Sequence, residues 1–586
     1  MKALLSGNEA IARGAYEAGV IFASAYPGTP STEILEAIAH YDEIQAQWAP
    51  NEKVALETAA GASLAGGRAL VAMKHVGLNV AADPLFSLVY MGCPGGLVIV
   101  SADDPGMHSS QNEQDNRWYA RAAKLPMLEP SDSQEARIFT KLAFEISEKY
   151  NTPVLLRITT RIAHSSSVVT LEPRAEHPIP PYQKNSEHHV LLPVHARKIH
   201  PEIEARLQRL SRDAVMQKCT TILRGNSDVG IITAGVAFHY ACEVFPEASF
   251  FKLGMTHPMP VDWLFEFALS VRNIFVIEEL DPFLEEQIRA LGIEVTGKDR
   301  FPVVGELNPD RVRQGLYGPE TEKKEHSHEP VSDEIPPRPP VFCPGCPHAG
   351  MFWALKKLRF RVTGDIGCYT LGALPPLAAM DSCLNMGASI GMAEGMERVL
   401  KDSRHPVAAV IGDSTFIHSG ITGLIDLVYN GSHAVVVILD NGTTAMTGHQ
   451  PHPGTGRTLK GHSTHKLDIE QLCRALGVPH VEIVNPYHLD DVIQALKRAK
   501  SAGELSVIIS RAPCILLEKR RLGAPLVIDM NLCKACNVCL QLGCPAIERV
   551  GQQYRIDPAF CVGCGLCARG CQLRAIVSSD DMMIMN

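Results

Sequence analysis

Short runs of consecutive apolar residues, too brief for helices and bounded by Gly, Pro or charged side chains, recur along most of the chain. They alternate with stretches whose apolar residues return every three to four positions. In the first 165 residues, Val98-Ile99-Val100 and Val154-Leu155-Leu156 read as buried strands and residues 8–18 as a helix. Such alternation predicts a parallel sheet covered by helices on both faces. The pattern restarts with a strand at 229–233, a turn at Gly235, a helix at 237–244 and a strand at 274–277. It restarts again with strands at 407–411 and 434–439 around a helical stretch at 416–429. Two segments interrupt it and read as linkers. Residues 170–200 are rich in Pro and His (Pro178, Pro180, Pro181, His188, His189), and residues 318–340 are charged and end Pro336-Pro337-Arg338-Pro339-Pro340. The expected fold is therefore α/β, with three doubly wound parallel-sheet domains at 1–169, 201–317 and 341–522, followed by a small unit at 523–586.

A chain of 586 residues is too long for one core, which agrees with this division. Apolar residues at 46% and charged residues at 20% exclude bulk disorder, and a net charge of −9 gives no broad face for nucleic acid or anionic lipid. The first residues, Met1-Lys2-Ala3-Leu4-Leu5-Ser6-Gly7, meet polar positions too soon for a secretory core, and no apolar run approaches the roughly 18 residues of a membrane span. A cytoplasmic protein is expected.

The cysteines change the picture. There are 17, and eight fall between Cys533 and Cys571, in a chain too long for a disulfide scaffold. One run is Cys533-x2-Cys536-x2-Cys539-x4-Cys544-Pro545, and the other is Cys561-x2-Cys564-x2-Cys567-x3-Cys571. The first three cysteines of each half are offset by 28 residues, and Ile-Asp precedes both halves, so the unit is an internal duplication. In two-cluster ferredoxins the fourth Cys of each run ligates the other cluster. One site is then Cys533, Cys536, Cys539 and Cys571, and the other Cys561, Cys564, Cys567 and Cys544. The x4 spacing and Gln572 in place of Pro depart from the usual pattern. Structural zinc is the alternative, although four thiolates would satisfy one zinc ion.

A second motif lies in the third α/β unit. The strand at 407–411 runs into Gly412-Asp413-Ser414, and the next strand runs into Asp440-Asn441-Gly442-Thr443. Asp413 and Asn441 then stand at the carboxyl ends of two parallel strands, where ligands of such sheets collect. Their oxygens suit Mg²⁺, and Gly412 lets the backbone approach a diphosphate. A plain strand-end turn is the competing reading.

Gly412-Asp413-Ser414 with Asn441 27 residues after Ser414 resembles the thiamine diphosphate motif, with Ser414 replacing the usual glycine. Together with Tyr26-Pro27-Gly28-Thr29-Pro30-Ser31, Asn51-Glu52-Lys53-Val54-Ala55-Leu56-Glu57, Cys343-Pro344-Gly345-Cys346-Pro347-His348 and Thr447-Gly448-His449-Gln450-Pro451-His452, it covers essentially the whole chain. The chain resembles the thiamine-diphosphate-dependent 2-oxoacid:ferredoxin oxidoreductases, and within them the large (alpha) subunits of the branch acting on indolepyruvate.

The resemblance implies the following. Residues 1–169 would be the pyrimidine-binding domain, 201–317 a transketolase C-terminal-like domain, 341–522 the diphosphate domain and 523–586 a two-[4Fe–4S] ferredoxin-type domain. Asp413, Asn441 and the Thr443 carbonyl would hold Mg²⁺, with Gly412, Ser414, Gly367 and Gly387 also binding the cofactor. Glu52, preferred to Glu57, would face the aminopyrimidine ring, and Thr29 would face the oxoacid. Thr29 also reads locally as a helix cap with Pro30 at N1. Cys343, Cys346, Cys368 and Cys514 match the ligand order of a third cluster; the alternative is that Cys368 and Cys514 are inert core thiols. Arylpyruvates would be oxidised to acyl-CoA with release of CO₂ and reduction of ferredoxin, in company with a smaller beta subunit and in a dimer of the alpha subunit. A non-redox decarboxylase or carboligase with structural clusters is the other reading. Cys93, Cys219, Cys242, Cys383 and Cys473 read as core, and the acid pair Glu278-Glu279 as a solvated loop. His75 and the polar loop 103–111 have no assigned role.

Overall fold

The apolar runs of the first unit form a seven-stranded sheet. Its order is Met255–His257, Met127–Leu128, Val154–Thr159, Leu97–Asp103, Ala69–Lys74, Phe22–Ala25 and Gln45–Trp48. Every neighbouring pair is parallel except the first, which is antiparallel. Leu97–Asp103, Ala69–Lys74 and Val154–Thr159 are buried at every residue, because helices cover both faces. The carboxyl ends Ala25, Trp48, Lys74, Asp103 and Thr159 consequently share one edge. In this computed structural model, which describes residues 1–318, 339–400, 405–518 and 521–581, the chain divides into two compact units, Met1–Val331 and Ser332–Asn586.

A second sheet in the first unit has the order Asn273–Ile277, Asn226–Ala234, Ala248–Leu253 and Thr220–Leu223, the last antiparallel. It shares one hydrophobic core with the first sheet: Leu85 and Met127 pack in the same cluster as Phe251, Phe267 and Phe283. The segment between the sheets is less of a linker than its composition suggests. Ala175 N–H donates to the Glu17 carbonyl at 2.8 Å, and the Arg174 guanidinium donates to the carbonyls of Tyr16 and Val20. A helix then runs over Pro193–Ser211, across the boundary expected at 200. Pro193 opens it at N1, and Ile199 and Ile203, one turn apart, seal into the core. Residues 319–338 of the second expected linker lie outside the described residues.

The second unit is built on a six-stranded, all-parallel sheet. Its order is Ser382–Cys383, Arg361–Gly364, Val407–Gly412, Val435–Asp440, Ser506–Arg511 and His480–Val484. The chain leaves Arg361–Gly364 toward one side of the sheet and Val407–Gly412 toward the other. The crevice between their carboxyl ends is thus the topological switch point. The cysteine-rich segment folds as two antiparallel pairs, Leu526–Ile528 with Ile576–Ser578 and Ile547–Val550 with Gln553–Ile556. Leu526, Ile547, Ile556 and Leu566 share a core with Phe342, Ala349 and Phe352, so this segment is fused to the third sheet's layer. Among the described residues, no helix is long and apolar enough to cross a membrane.

Candidate cofactor and cluster sites

At the switch point of the second unit, Val407–Gly412 is buried throughout and delivers Asp413 into the crevice, 2% exposed. Asp413 Oδ1 accepts from Ser414 N–H and Oδ2 from Gly442 N–H, both at 2.8 Å. Asn441 and Thr443 follow the neighbouring strand and are likewise buried, Asn441 Oδ1 accepting from Thr443 N–H at 3.1 Å. The Ser414 hydroxyl accepts from that of Thr444 at 3.0 Å. Across the crevice the buried Asp365 carboxylate accepts backbone N–H groups of Ile366, Gly387 and Ser389. Burial outweighs those bonds and pushes Asp365 up to about 6. Gly387 has φ +90° at the start of helix Ala388–Val399, and a Cβ there would lie 2.5 Å from Ser419 Cβ. A Cβ on Gly367 or Gly412 would strike the Tyr369 ring at 2.3 or 2.7 Å. These glycines keep the backbone of the crevice bare.

Three buried histidines surround this edge, none of them singled out by the sequence reading. His452 Nε2 lies 3.3 Å from Asp413 Oδ2 and makes no hydrogen bond. His348 Nε2 lies 3.4 Å from Asn441 Nδ2. Burial drives the His348 imidazole down to about 4, so it is neutral. His418 sits in a π-helical turn, Phe416–Gly420, one of the local distortions that collect at functional sites. Buried oxygen donors from two strand ends, an imidazole nitrogen that makes no hydrogen bond and a glycine-bared backbone fit a divalent cation carrying a diphosphate.

Twelve of the fourteen thiols of the second unit fall into three groups of four that act on one another. Burial raises Cys346, and the thiols of Cys343, Cys368 and Cys514 raise it further. Cys368 is pushed up to about 11 by burial and then by Cys514 and Cys343. Around Cys539, after burial, the acting thiols are Cys533, Cys536 and Cys571. Around Cys567 they are Cys564, Cys544 and Cys561. Cys571 thus sits with the first run and Cys544 with the second. Four thiols brought together in this way fit a cluster whose iron would take them as thiolates. Among the described residues, no three His, Cys, Asp or Glu side chains are arranged to hold a single metal ion.

The first group is built onto the diphosphate edge. Cys514 N–H donates to the Asn441 carbonyl at 3.0 Å. His348 N–H bonds to the Cys346 sulfur while its ring reaches Asn441. The same loop touches the third group: a Cβ on Gly345 would meet Val562 Cγ2 at 2.2 Å, and one cavity is lined by Cys343, Cys346, Cys544, Cys564 and Cys567.

In the first unit, the loops after the carboxyl ends hold the other predicted residues. Glu52 opens helix Glu52–Leu64, capped by Asn51, and is 5% exposed. Its carboxyl lies over Gly77, where a Cβ would come within 2.7 Å of Oε1. Glu57 is solvent-facing and pairs with Lys53 at 3.8 Å. Thr29 is not a helix cap. Ser31 N–H donates to the Gly28 carbonyl at 2.8 Å, closing a turn, and the helix starts only at Thr32. His75 is buried, with Nε2 3.0 Å from Asn112 Oδ1. The loop of Asp104 is pinned by Ser109 and Ser110, whose bonds pull that carboxylate below its ordinary range against the opposing effect of burial.

Glu278 and Glu279 are buried, not solvated, because they end a strand facing Arg117, which donates to Glu278 at 2.6 Å and to the Glu279 carbonyl at 2.7 Å. Burial pushes Glu279 up to about 7. Cys93, Cys219 and Cys473 are buried, but Cys242 is half-buried and Cys383 exposed, since Ser382–Cys383 is a two-residue edge strand with one open side.

Comparison with known proteins agrees with this geometry. Residues 365–510 match the thiamine pyrophosphate enzyme C-terminal TPP binding domain, and residues 13–217 match the thiamine diphosphate-binding domain of pyruvate flavodoxin/ferredoxin oxidoreductases. The chain is thus a thiamine-diphosphate-dependent oxidoreductase of the 2-oxoacid class. It is 43% identical to the indolepyruvate oxidoreductase subunit IorA of Archaeoglobus fulgidus, over 98% of this chain and 97% of that one. Against its counterparts in Methanothermobacter marburgensis and Thermococcus kodakarensis the identity is 42% and 39%, each over 98% of this chain and 96% of the relative. The chain belongs to the indolepyruvate oxidoreductase subunit IorA family.

Proposed function

We propose that the chain is the cytoplasmic catalytic subunit of an indolepyruvate:ferredoxin oxidoreductase, acting with a smaller beta subunit and as a dimer of itself. An arylpyruvate, CoA and two oxidised ferredoxins would become the aryl-acetyl-CoA, CO₂, a proton and two reduced ferredoxins. When bound, thiamine diphosphate would supply the carbon nucleophile for the keto group, and [4Fe–4S] clusters would supply one-electron acceptors. Asp413, Asn441 and the Thr443 carbonyl hold Mg²⁺ in this reading, and Gly367, Gly387, Gly412 and Ser414 border the diphosphate. Glu52 holds the proton exchanged with the aminopyrimidine, and Thr29 borders the oxoacid.

The observation that carries the redox reading over a plain decarboxylase is the bond from Cys514 N–H to the Asn441 carbonyl. A four-thiol group tied to the cofactor's own metal-binding residue serves electron removal at that cofactor, whereas a structural cluster has no need to be there. The test is anaerobic copurification with the small subunit, followed by indolepyruvate, CoA and oxidised ferredoxin. Reduction of ferredoxin that requires thiamine diphosphate, Mg²⁺ and CoA supports the reading. Release of indoleacetaldehyde without acceptor reduction, from protein of full iron content, overturns it.

A further inference from the structure

The substrate of the proposed reaction is an anion, and the proposed function assigns no cation to it. At the edge that holds Glu52 and Thr29, the buried cations are few and their partners are explicit. Arg157 bonds to Asp103 at 2.8 Å and Glu129 at 2.6 Å, and Arg117 to Asp115 at 2.5 Å and Glu278 at 2.6 Å. Arg137 pairs with Glu17, and Lys252 with Glu135. Arg206 spends its guanidinium on the carbonyl of Asn151, which caps helix Ser133–Tyr150, and on that of Val89 in the last turn of helix Ala82–Met91, away from this edge.

Lys74 differs from all of these. It is the last residue of a central strand and only 9% exposed. Its ammonium donates to the Ser109 carbonyl at 2.7 Å and lies 3.4 Å from the Ser109 hydroxyl. Among the described residues, no carboxylate lies within 4.0 Å of Nζ. The side chain runs under the turn that carries Thr29: a Cβ on Gly28 would stand 3.1 Å from Lys74 Cβ, and the Ser109 hydroxyl donates to the Thr29 carbonyl at 3.3 Å. Three residues further on, Gly77 supports Glu52. A buried ammonium that touches no carboxylate and feels Asp104 only across Ser109 is costly to keep, and an anionic ligand repays that cost.

We propose that Lys74 receives the carboxylate of the 2-oxoacid, setting it beside Thr29 while the keto carbon is presented toward the side of the edge that Glu52 occupies. This rests on the function proposed above. An ammonium has three donors, and the Ser109 contacts leave one for a carboxylate oxygen. The residue binds the group and plays no part in proton transfer, so its loss appears chiefly in KM.

The experiment uses the complete enzyme with Lys74→Met and Lys74→Arg, and two inhibitors of one shape, 3-(indol-3-yl)propionate and its neutral amide. Wild-type turnover of indolepyruvate reads the proposed function by itself. The inhibition ratio reads Lys74. The wild type should favour the carboxylate over the amide by about 10- to 100-fold, the worth of one charge-assisted hydrogen bond. Lys74→Met should bring that ratio to about 1 and raise the indolepyruvate KM by a similar factor, with thiamine and iron content unchanged. Lys74→Arg should keep most of the ratio. If Lys74 only pinned the 104–110 loop, Lys74→Met would weaken both inhibitors equally and leave the ratio intact, and that result would overturn the proposal. So would a wild-type ratio near 1 in an enzyme that turns over indolepyruvate.

Discussion

Replacing Gly77 by Ala tests the position of Glu52 without touching Glu52. Gly77 lies in helix His75–Val80, and its added Cβ would stand 2.7 Å from Glu52 Cγ and Oε1 and 3.0 Å from Cδ. Carbon atoms in contact prefer about 3.5–4.0 Å, so the carboxyl must retreat by about 1 Å. A side chain clears such a clash by changing rotamer, at about 1 kcal/mol. Ala in a helix is favoured over Gly by about 0.5–1 kcal/mol, so stability should be nearly unchanged. Catalysis should not be. A displacement of about 1 Å at a reacting group costs about 100-fold in rate. The assay is ferredoxin reduction at saturating indolepyruvate, CoA and thiamine diphosphate, beside a thermal melt. A kcat within about threefold of wild type at an unchanged melting temperature would refute the placement of Glu52 at the aminopyrimidine.

Breaking the buried ionic network with Arg117→Met leaves Asp115 and Glu278 without their cation and should cost about 3–5 kcal/mol, read as a fall in denaturant midpoint; a loss below about 1 kcal/mol would show that those acids find other partners. Cys544→Ser should disturb the same reduced-cluster EPR signal as Cys564→Ser, and Cys571→Ser the same signal as Cys536→Ser; the reverse pairing would dismiss the crossed grouping. Burial lowers Lys74 to about 8, partly offset by Asp104 on the following loop. The native ammonium is therefore lost as pH rises through about 8, whereas the unfolded chain keeps its proton to about 10.5. Oxoacid KM should climb up to tenfold per pH unit above about 8 in the wild type and stay flat in Lys74→Met, while the native state gains stability over that same window.

Some of this architecture is written locally and some is not. A run such as Val407-Ala408-Ala409-Val410-Ile411 ending in Gly-Asp announces a buried strand and its carboxyl end, because both features reside within a few residues. The cysteine runs announce themselves too, since ligands to one cluster must recur at fixed short spacing. The meeting of distant loops has no such local signature. Glu278-Glu279 looks like a solvated turn until Arg117, some 160 residues earlier, arrives to bury it. His348 looks like an ordinary helix start until Asn441 closes on its ring, although its place directly after Cys-Pro-Gly-Cys-Pro was a usable hint. Lys74 is the sharpest case. At the end of an apolar strand a lysine reads as the point where the chain returns to water, and its meaning lies in what is absent around it. Among the described residues, the buried guanidinium groups of Arg117 and Arg157 at that edge are already bonded to acids. A vacancy of that kind belongs to the whole fold, and it is there that a site for an anionic substrate first becomes visible.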